Sequence, residues 1–137
     1  MEKLAGIWID KRVAKIVKIN NHLELFHTID SSIEEYHPKG GSGTQLKGGP
    51  QDVVQDSKYL ERVKHQEKAF FKDIVNYINS SDQLVIFGPA QMGERFFTEI
   101  SEHYPAISRK VKGVKTADSM TDNQVRAWVR DYFANEN

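Results

Sequence analysis

The sequence predicts an α/β domain built on a mixed five-stranded sheet with helices packed on it. Three observations support this prediction. The N-terminal stretch alternates apolar and polar positions, later stretches carry apolar residues at helical spacing, and a short, continuous apolar run lies between two of those later stretches. With 137 residues, of which 39% are hydrophobic, the chain is long enough to close one hydrophobic core. We therefore expect a single domain over residues 1–137.

The N-terminal part of the chain is predicted to form three consecutive strands. Leu4 to Ile9 is an apolar run rich in β-branched and aromatic residues, and the polar residues Asp10 to Arg12 separate it from the alternating run Val13 to Ile19. Asn20-Asn21 is a turn signal, and the alternation resumes in Leu23 to Ile29. The three strands therefore form an antiparallel meander.

A glycine-rich segment with neither helical nor strand periodicity follows. Five of the nine glycines lie between Gly40 and Gly49. Because loops longer than about 15 residues are uncommon in compact domains and tend to be functional or disordered, we predict a flexible glycine-rich loop at about 31–55. Paired glycines let backbone amide groups approach a phosphate closely. Lys47 is followed by Gly48 instead of Ser or Thr, so the loop does not have the spacing of a Walker A motif.

The remainder of the chain is predicted to alternate helices and strands. The elements are a long helix from about Ser57 to Asn79, a central strand at Leu84 to Phe87, a helix from about Ala90, an extended stretch at Ile107 to Lys115, and a helix that begins near Thr121. Thr121 and Gln124 form a capping-box pattern, and Trp128 lies on the apolar face of the last helix and is predicted to be part of the core. The element order βββαβαβα is that of an RNase H-like sheet.

Composition excludes several classes of protein. The chain has 19 basic and 19 acidic residues, so a surface that binds a polyanion has to be a local patch. Cysteine is absent, which excludes disulfides and thiol catalysis and fits a reducing compartment. The five histidines show no metal-ligand spacing, and no apolar run is long enough for a signal peptide or a membrane span. We therefore expect a cytoplasmic protein with no metal, no cofactor and no membrane partner.

The long predicted helix carries a basic stripe almost opposite its apolar face. The stripe consists of Lys58, Arg62, His65 and Lys72. A basic stripe directly after a glycine-rich loop suits an RNA backbone, so the candidate RNA-binding residues also include those of the loop, Lys39, Gly40, Gly41, Gly43 and Lys47. The alternative is an ordinary solvated helix face, because Glu61 and Asp73 interleave with the stripe.

Two other charged features need a structural explanation. Glu67 falls on the apolar side of the long helix, so either the first turns of that helix overhang the core or Glu67 has a buried partner. A second basic cluster, Arg109, Lys110, Lys112 and Lys115, is typical of lysines that guard an edge strand against pairing.

Several segments resemble those of a known family. Pro38-Lys-Gly-Gly-Ser-Gly-Thr-Gln45 is similar to a glycine-rich loop, Tyr59-Leu-Glu-Arg-Val-Lys-His-Gln-Glu-Lys-Ala-Phe-Phe71 to the helix after it, and Leu84-Val-Ile-Phe-Gly-Pro-Ala90 to a central strand with its glycine turn. The loop, helix and strand to which these segments are similar are those of the middle domain of eukaryotic and archaeal class 1 peptide-chain release factors and of their ribosome-rescue relative Pelota. Gly88-Pro-Ala90 and Ala117-Asp-Ser-Met-Thr-Asp-Asn-Gln124 also resemble small bacterial proteins grouped with these factors. The resemblance implies an RNase H-like sheet and binding to the ribosome or tRNA.

The sequence departs from the family at one motif. In the release factors a Gly-Gly-Gln tripeptide enters the peptidyl transferase centre, where the glutamine helps to place the water that hydrolyses peptidyl-tRNA. Here Ser-Gly-Thr separates Gly40-Gly41 from Gln45, and Pro50 separates Gly48-Gly49 from Gln51. Because proline lacks an N–H and fixes φ, the backbone at Pro50 cannot copy the tripeptide.

The leading hypothesis is therefore a stand-alone, release-factor-like domain that binds the ribosome or tRNA in translation termination or ribosome rescue. One alternative is a peptidyl-tRNA hydrolase that uses Gln45 or Gln51 to place water. A second alternative is a protein-interaction module in which the RNase H-like sheet is only a scaffold. The sequence leaves the oligomeric state open.

Overall fold

The computed structural model describes residues 2–35 and 49–136, and at residues 49–56 and 136 it describes the backbone alone. The described elements are β1 (Lys3–Ile9), β2 (Val13–Asn20), β3 (Leu23–Asp30), α1 (Gly49–Ile78), β4 (Gln83–Gly88), α2 (Met92–His103), α3 (Pro105–Ser108), β5 (Val111–Thr116) and α4 (Asp122–Glu136). Within the described residues, no helix is long and apolar enough to span a membrane.

The five strands form one mixed sheet in the order β3-β2-β1-β4-β5. β1 pairs antiparallel with β2 and parallel with β4, while β2 and β3 are antiparallel and β4 and β5 parallel. This arrangement confirms the predicted α/β fold with a mixed five-stranded, RNase H-like sheet. The strand Leu84 to Phe87 was expected at the centre; it lies inside the sheet with a neighbour on each side, and β1 occupies the middle position.

The sheet separates two hydrophobic clusters. Ala5, Ile7 and Ile9 of β1 pack on the side that α1 and α2 cover, whereas Trp8 packs on the side that α4 covers. A strand turns successive side chains to opposite faces, so β1 contributes to both clusters. All residues of β1 from Ala5 to Ile9 are buried, which explains why its sequence is almost continuously apolar.

α4 lies directly against β1 because Gly6 has no side chain. A Cβ atom at Gly6 would lie 2.3 Å from Cγ2 of Val129, a distance that real contacts do not reach. The predicted capping box at the start of α4 is confirmed. The N–H of Thr121 donates to Oε1 of Gln124 at 2.9 Å, and the N–H of Gln124 donates to Oγ1 of Thr121 at 3.2 Å. Trp128 is half-buried and stacks on the buried Phe87, with ring centroids 3.8 Å apart.

The predicted start of α1 was wrong. α1 begins at Gly49 instead of near Ser57, so the segment predicted as a loop at about 31–55 includes the first turns of this helix. Pro50 occupies the first turn, where its missing N–H has no intrahelical partner to lose and its fixed φ suits the helix. Residues 36–48, which hold most of the glycine-rich loop, lie outside the described residues.

The stretch that begins at Ile107 was predicted to be extended, but Pro105–Ser108 forms the short helix α3 before β5. Tyr104 ends α2 with non-helical angles, φ −137° and ψ 62°, and Pro105 then starts α3 at its first position. Ile107 is buried in the cluster beneath α1 and α2. Burial of this one side chain, which no sequence period reveals, favours the extra turn.

Candidate nucleic-acid interface

The candidate interface is built on α1, whose two halves have different environments. Its C-terminal half supplies five buried residues to the core, Phe70, Phe71, Ile74, Val75 and Ile78. No residue of α1 between Ser57 and Ala69 is buried, and Leu60 is 58% exposed. A helix of 30 residues is about 45 Å long, whereas a strand of eight residues spans about 27 Å. The first half of α1 therefore extends beyond the sheet.

The four residues of the basic stripe all lie on the exposed surface of α1. Lys58, His65 and Lys72 are exposed, and no described residue forms an ion pair with any of them. They follow the helix over 14 positions, which corresponds to about 21 Å along its axis. This length is enough to contact several phosphates of one nucleic-acid strand.

Arg62, the fourth member of the stripe, is held by Glu34. Its Nε and a terminal NH2 group donate to the two carboxylate oxygens of Glu34 at 2.8 and 2.9 Å. These bonds hold the pKa of Glu34 below its usual value, and in turn they raise the pKa of Arg62. The positive charge of Arg62 is therefore compensated within the protein and contributes less to the stripe than its position suggests.

Glu34 also fixes the segment after β3 onto α1. The backbone N–H of Glu34 donates to Oε1 of Gln66 at 3.0 Å, and Nε2 of Gln66 donates to the Glu34 carboxylate at 3.0 Å. The hydroxyl of Tyr59 donates to the backbone oxygen of Glu34 at 3.3 Å. These contacts bring residues 31–35, which lead into the glycine-rich segment, next to the basic stripe. Sequence analysis missed Glu34 because no period relates two positions that are 28 residues apart.

One more lysine widens the basic surface of α1. Lys68 is exposed and lies beside the stripe on the helix. The strict spacing used to define the stripe omitted Lys68, although a wider arc of the helix would have included it. We call Lys58, His65, Lys68 and Lys72 together the basic face of α1. No described residue forms an ion pair with any member of this face.

A shallow groove of about 350 Å³ lies between the basic face and the end of α2. Lys68, Ala69 and Lys72 form one wall, and Glu99, His103 and Tyr104 form the other. His103 lies next to Glu102, with Nε2 3.9 Å from the carboxylate oxygen. The carboxylate of Glu99 on the second wall therefore bounds the basic face on the α2 side.

Glu67, the acidic residue on the apolar side of α1, has a partner on α2. Nε of Arg95 donates to Oε2 of Glu67 at 3.0 Å, and a terminal NH2 group donates to Oε1 at 2.9 Å. These hydrogen bonds raise the pKa of Arg95. The Glu67 side chain is 16% exposed. Both explanations expected from the sequence therefore contribute, because the first half of α1 extends past the sheet and the Glu67 carboxylate has a partner.

The remaining candidate residues are not brought together by the described structure. Lys39, Gly40, Gly41, Gly43, Gln45 and Lys47 lie outside the described residues. Gln51 belongs to the first turn of α1, where only the backbone is described. In the second basic cluster, Lys110 donates to the backbone oxygen of Asn79 at 3.0 Å, while Lys112 and Lys115 are exposed on β5. In the described part of the chain, no group of His, Asp or Glu residues is arranged to hold a metal ion.

Comparison with solved structures finds proteins with a similar fold. Pelota from Archaeoglobus fulgidus matches with a TM-score of 0.54 and 13% sequence identity over 98% of this chain and 36% of the Pelota chain. The archaeal translation termination factor aRF1 matches with a TM-score of 0.54 and 8% identity over 97% of this chain and 39% of its own. The chain has the fold of a Pelota- or aRF1-like domain.

The match to Pelota and aRF1 extends over most of this chain but only part of those proteins. The chain spans little more than a third of the length of either factor. Neither a protein-family model nor a curated protein matches the sequence. The predicted resemblance to the release factors and Pelota is thus confirmed for the fold, and the resemblance to small bacterial proteins stays a prediction.

Proposed function

We propose that this chain is a release-factor-like module that binds ribosomal RNA or tRNA in translation termination or ribosome rescue. The basic face of α1 is the observation that carries the proposal. It concentrates exposed cations on one helix of a chain whose basic and acidic residues balance. A local cationic surface of this kind gains affinity for a polyanion because bound phosphates release their counterions.

The fold supports the same conclusion. One of the proteins with a similar fold is named a translation termination factor, and about two fifths of that factor matches this chain. The chain therefore corresponds to one module of such a factor. Because the fold by itself does not fix function, the proposal rests on the basic face of α1 together with the adjoining segment that Glu34 holds in place.

Binding is favoured over hydrolysis on the evidence of the glycine-rich segment. Neither Gly40-Gly41 nor Gly48-Gly49 is followed directly by glutamine. Gln51 lies in the first turn of a helix that starts at Gly49, so its backbone is helical and not that of a free loop tip. A cytoplasmic, non-enzymatic ribosome- or tRNA-binding module is the function that these features support best.

The decisive test is charge reversal on the basic face. Lys58→Glu, Lys68→Glu and Lys72→Glu are combined, and Arg62 is left unchanged because its replacement would also break the contacts of Glu34. The matched control combines Lys11→Glu, Lys112→Glu and Lys115→Glu, three exposed lysines away from α1, so both variants carry the same net charge. Binding to ribosomes and to tRNA is measured across a salt series for the wild type and both variants.

We expect the variant on α1 to bind at least about tenfold more weakly than the control. The slope of log K against log salt should be shallower than that of the control by about 3, because each lysine that contacts a phosphate contributes about 1. Equal losses in both variants, or wild-type binding that does not change with salt, contradict the proposal. The same samples are assayed for peptidyl-tRNA hydrolysis with Gln45→Ala and Gln51→Ala. Robust hydrolysis that one of these changes removes would establish the hydrolase alternative instead.

A further inference from the structure

The two edges of the sheet differ in their protection against pairing with another strand. β5 has six residues, exposes Lys112 and Lys115, and pairs with β4 through a register shift. Short length, lysines and irregular pairing are features that prevent edge-to-edge association. β3 has eight residues, contains neither lysine nor proline, and pairs with β2 along its whole length. β3 therefore lacks the features that block pairing at β5.

β3 also exposes two large apolar side chains. Leu23 is 58% exposed and Leu25 is 47% exposed, and among the described residues only Leu60 on α1 is a comparably exposed large hydrophobic residue. Leu25 pairs with Lys18 of β2, whose ammonium group donates to the backbone oxygen of Tyr77 on α1 at 2.9 Å. The two leucines therefore lie on the face of the sheet that α1 covers, beyond the C-terminal end of that helix.

The backbone of β3 offers unpaired hydrogen-bonding groups at regular spacing. A two-residue turn joins β2 to β3 and makes Asn20 and Leu23 a hydrogen-bonded pair, so every second residue from Leu23 onwards bonds to β2. The bond from the N–H of Ser31 to the oxygen of Arg12, at 2.9 Å, continues this pattern. The N–H and C=O groups of Glu24, Phe26 and Thr28 consequently point away from β2, and no described residue bonds to them there.

A groove lies beside the same edge. It has a volume of about 450 Å³ between β3 and α1, and His27, Ile29 and Tyr77 are among its lining residues. The rings of His27 and Tyr77 stack with their centroids 4.4 Å apart, and Ile29 is half-buried against the core. The groove thus places apolar and aromatic side chains, together with the polar residues Thr28, Asp73 and Asn76, next to the outward-facing backbone of β3.

We infer that β3 is a dimerisation edge whose occupant is β3 of a second copy of this chain, paired antiparallel with Phe26 opposite Phe26. This register is two-fold symmetric, and it places the outward groups of Glu24 opposite those of Thr28 of the second copy. All outward groups of the three residues are then hydrogen-bonded. The two sheets join into one continuous sheet of ten strands.

Side-chain complementarity favours a second copy over an unrelated strand. In this register Leu25 lies opposite His27 of the second copy and Leu23 lies opposite Ile29, so the exposed leucines of each copy are placed at the groove of the other. At each end of the interface, Asp30 of one copy lies beside the turn between β2 and β3 of the other, which contains His22. The buried area is small, so we expect a dissociation constant on the order of micromolar.

The first test compares two leucines of similar exposure. Leu25→Lys introduces a charge on the edge, whereas Leu60→Lys introduces the same charge on α1, away from β3. Sedimentation velocity of the full chain over a concentration series gives the dissociation constant of the dimer. We expect Leu25→Lys to raise it at least about tenfold and Leu60→Lys to leave it unchanged. A wild type that stays monomeric at all concentrations, or equal effects of the two changes, overturns the inference.

The second test determines the register by disulfide cross-linking. Because the chain contains no cysteine, a single introduced cysteine can pair only with its copy in the second chain. Phe26→Cys places two thiols on Cα atoms about 5.5 Å apart across the dimer, within the range of a disulfide. Thr28→Cys places them four residues out of register, about 14 Å apart, where no disulfide forms. We expect mild oxidation to cross-link Phe26→Cys and not Thr28→Cys. The reverse pattern, or cross-linking of both, contradicts the proposed register, and Leu25→Lys still decides whether β3 is the interface.

Discussion

Gly88, at the end of β4, shows how one residue limits the packing of two strands. Its φ is +151°, and a Cβ atom there would lie 2.3 Å from the backbone oxygen of Ile9 in β1. The same residue still accepts a hydrogen bond from the N–H of Ala117 at 2.8 Å, so the strand end cannot move freely. Only glycine fits this position without displacing backbone.

We expect Gly88→Ala to lower the free energy of unfolding by about 2 to 3 kcal/mol, because strained backbone and a backbone clash combine. Gly113→Ala is the matched control, since a Cβ atom there would meet the hydroxyl of Tyr132 at 2.8 Å, at the far end of a side chain. We expect the control to lose less than about 1 kcal/mol. Urea denaturation measures both, and equal losses would contradict the role of the Ile9 backbone.

The pair of Glu67 and Arg95 gives a second test on single residues. Removing the carboxylate in Glu67→Ala deprives Arg95 of two hydrogen bonds, and we expect a loss of about 1 to 2 kcal/mol in unfolding free energy. Glu67→Leu should lose less, because the position faces the apolar side of α1, where the leucine side chain can pack in place of the partly exposed ion pair. Glu61→Ala, at an exposed position of α1, is the control. Denaturation curves in which Glu67→Leu is the worst variant would refute this account.

At the scale of elements, Arg62 and Glu34 link α1 to the segment after β3, and this link should depend on pH. Because the pKa of Glu34 lies below its usual value of 4.5 in the folded protein, the ionised carboxylate stabilises the fold above that pH. The contribution is lost as the pH falls from 4.5 through the folded pKa. We therefore expect Glu34→Gln to be less stable than the wild type at pH 7.

Acidification should reduce the difference between Glu34→Gln and the wild type. Glu61→Gln is the control, and we expect it to differ little from the wild type at either pH. Unfolding free energies at pH 7 and pH 3 for the three proteins measure the effect. A difference between Glu34→Gln and the wild type that persists unchanged at pH 3 would show that the carboxylate charge is not its cause.

The attachment of α4 depends on an aromatic stack. Trp128 lies between Phe87 of β4 and Tyr132 one turn later on α4, with ring centroids 3.8 and 5.5 Å away. Since deletion of a large aromatic side chain from such a site removes both buried area and stacking, we expect Trp128→Ala to cost about 3 kcal/mol. Trp128→Phe should lose less unfolding free energy than Trp128→Ala, because its ring keeps part of the stack. A loss below about 1 kcal/mol in urea would show that α4 is peripheral to the fold.

At the scale of the whole molecule, the environment of each backbone segment predicts its protection from hydrogen exchange. β1 has a strand on each side and is buried from Ala5 to Ile9, whereas α1 has no buried residue from Ser57 to Ala69. Because local opening is easiest where little apolar surface is buried, we expect amides of β1 and β4 to exchange slowest. Amides of α1 before Phe70 should exchange much faster. Comparable protection in these two regions would contradict the extension of α1 beyond the sheet.

The periodic parts of this molecule could be predicted from sequence and the non-periodic parts could not. The meander and β4 follow from alternation and from one short apolar run, and the capping box at Thr121 marked the start of α4 within one residue. The first turns of α1 were missed because residues 49–56 lack a clear apolar stripe, and α3 was missed because four residues have no period. In the candidate site, the exposed positions of Lys58, His65 and Lys72 followed from helical spacing, whereas Lys68 was omitted. The ion pair of Arg62 and Glu34 did not, because tertiary packing alone brings these residues together.

The pairing of β1 with both β2 and β4 has a consequence for how the chain folds. The two hairpins of the meander join neighbouring segments and are of the kind that forms in microseconds. β1 meets β4 only after a long stretch of chain has closed, since Lys3 and Asp82, which share a hydrogen bond of 2.8 Å, are 79 positions apart. Non-local closure of this kind slows folding because its entropy is lost before the contacts form. We therefore expect docking of β4 beside β1 to be the rate-limiting event. During synthesis on a ribosome, the meander cannot pair with β4 until more than half of the chain has emerged.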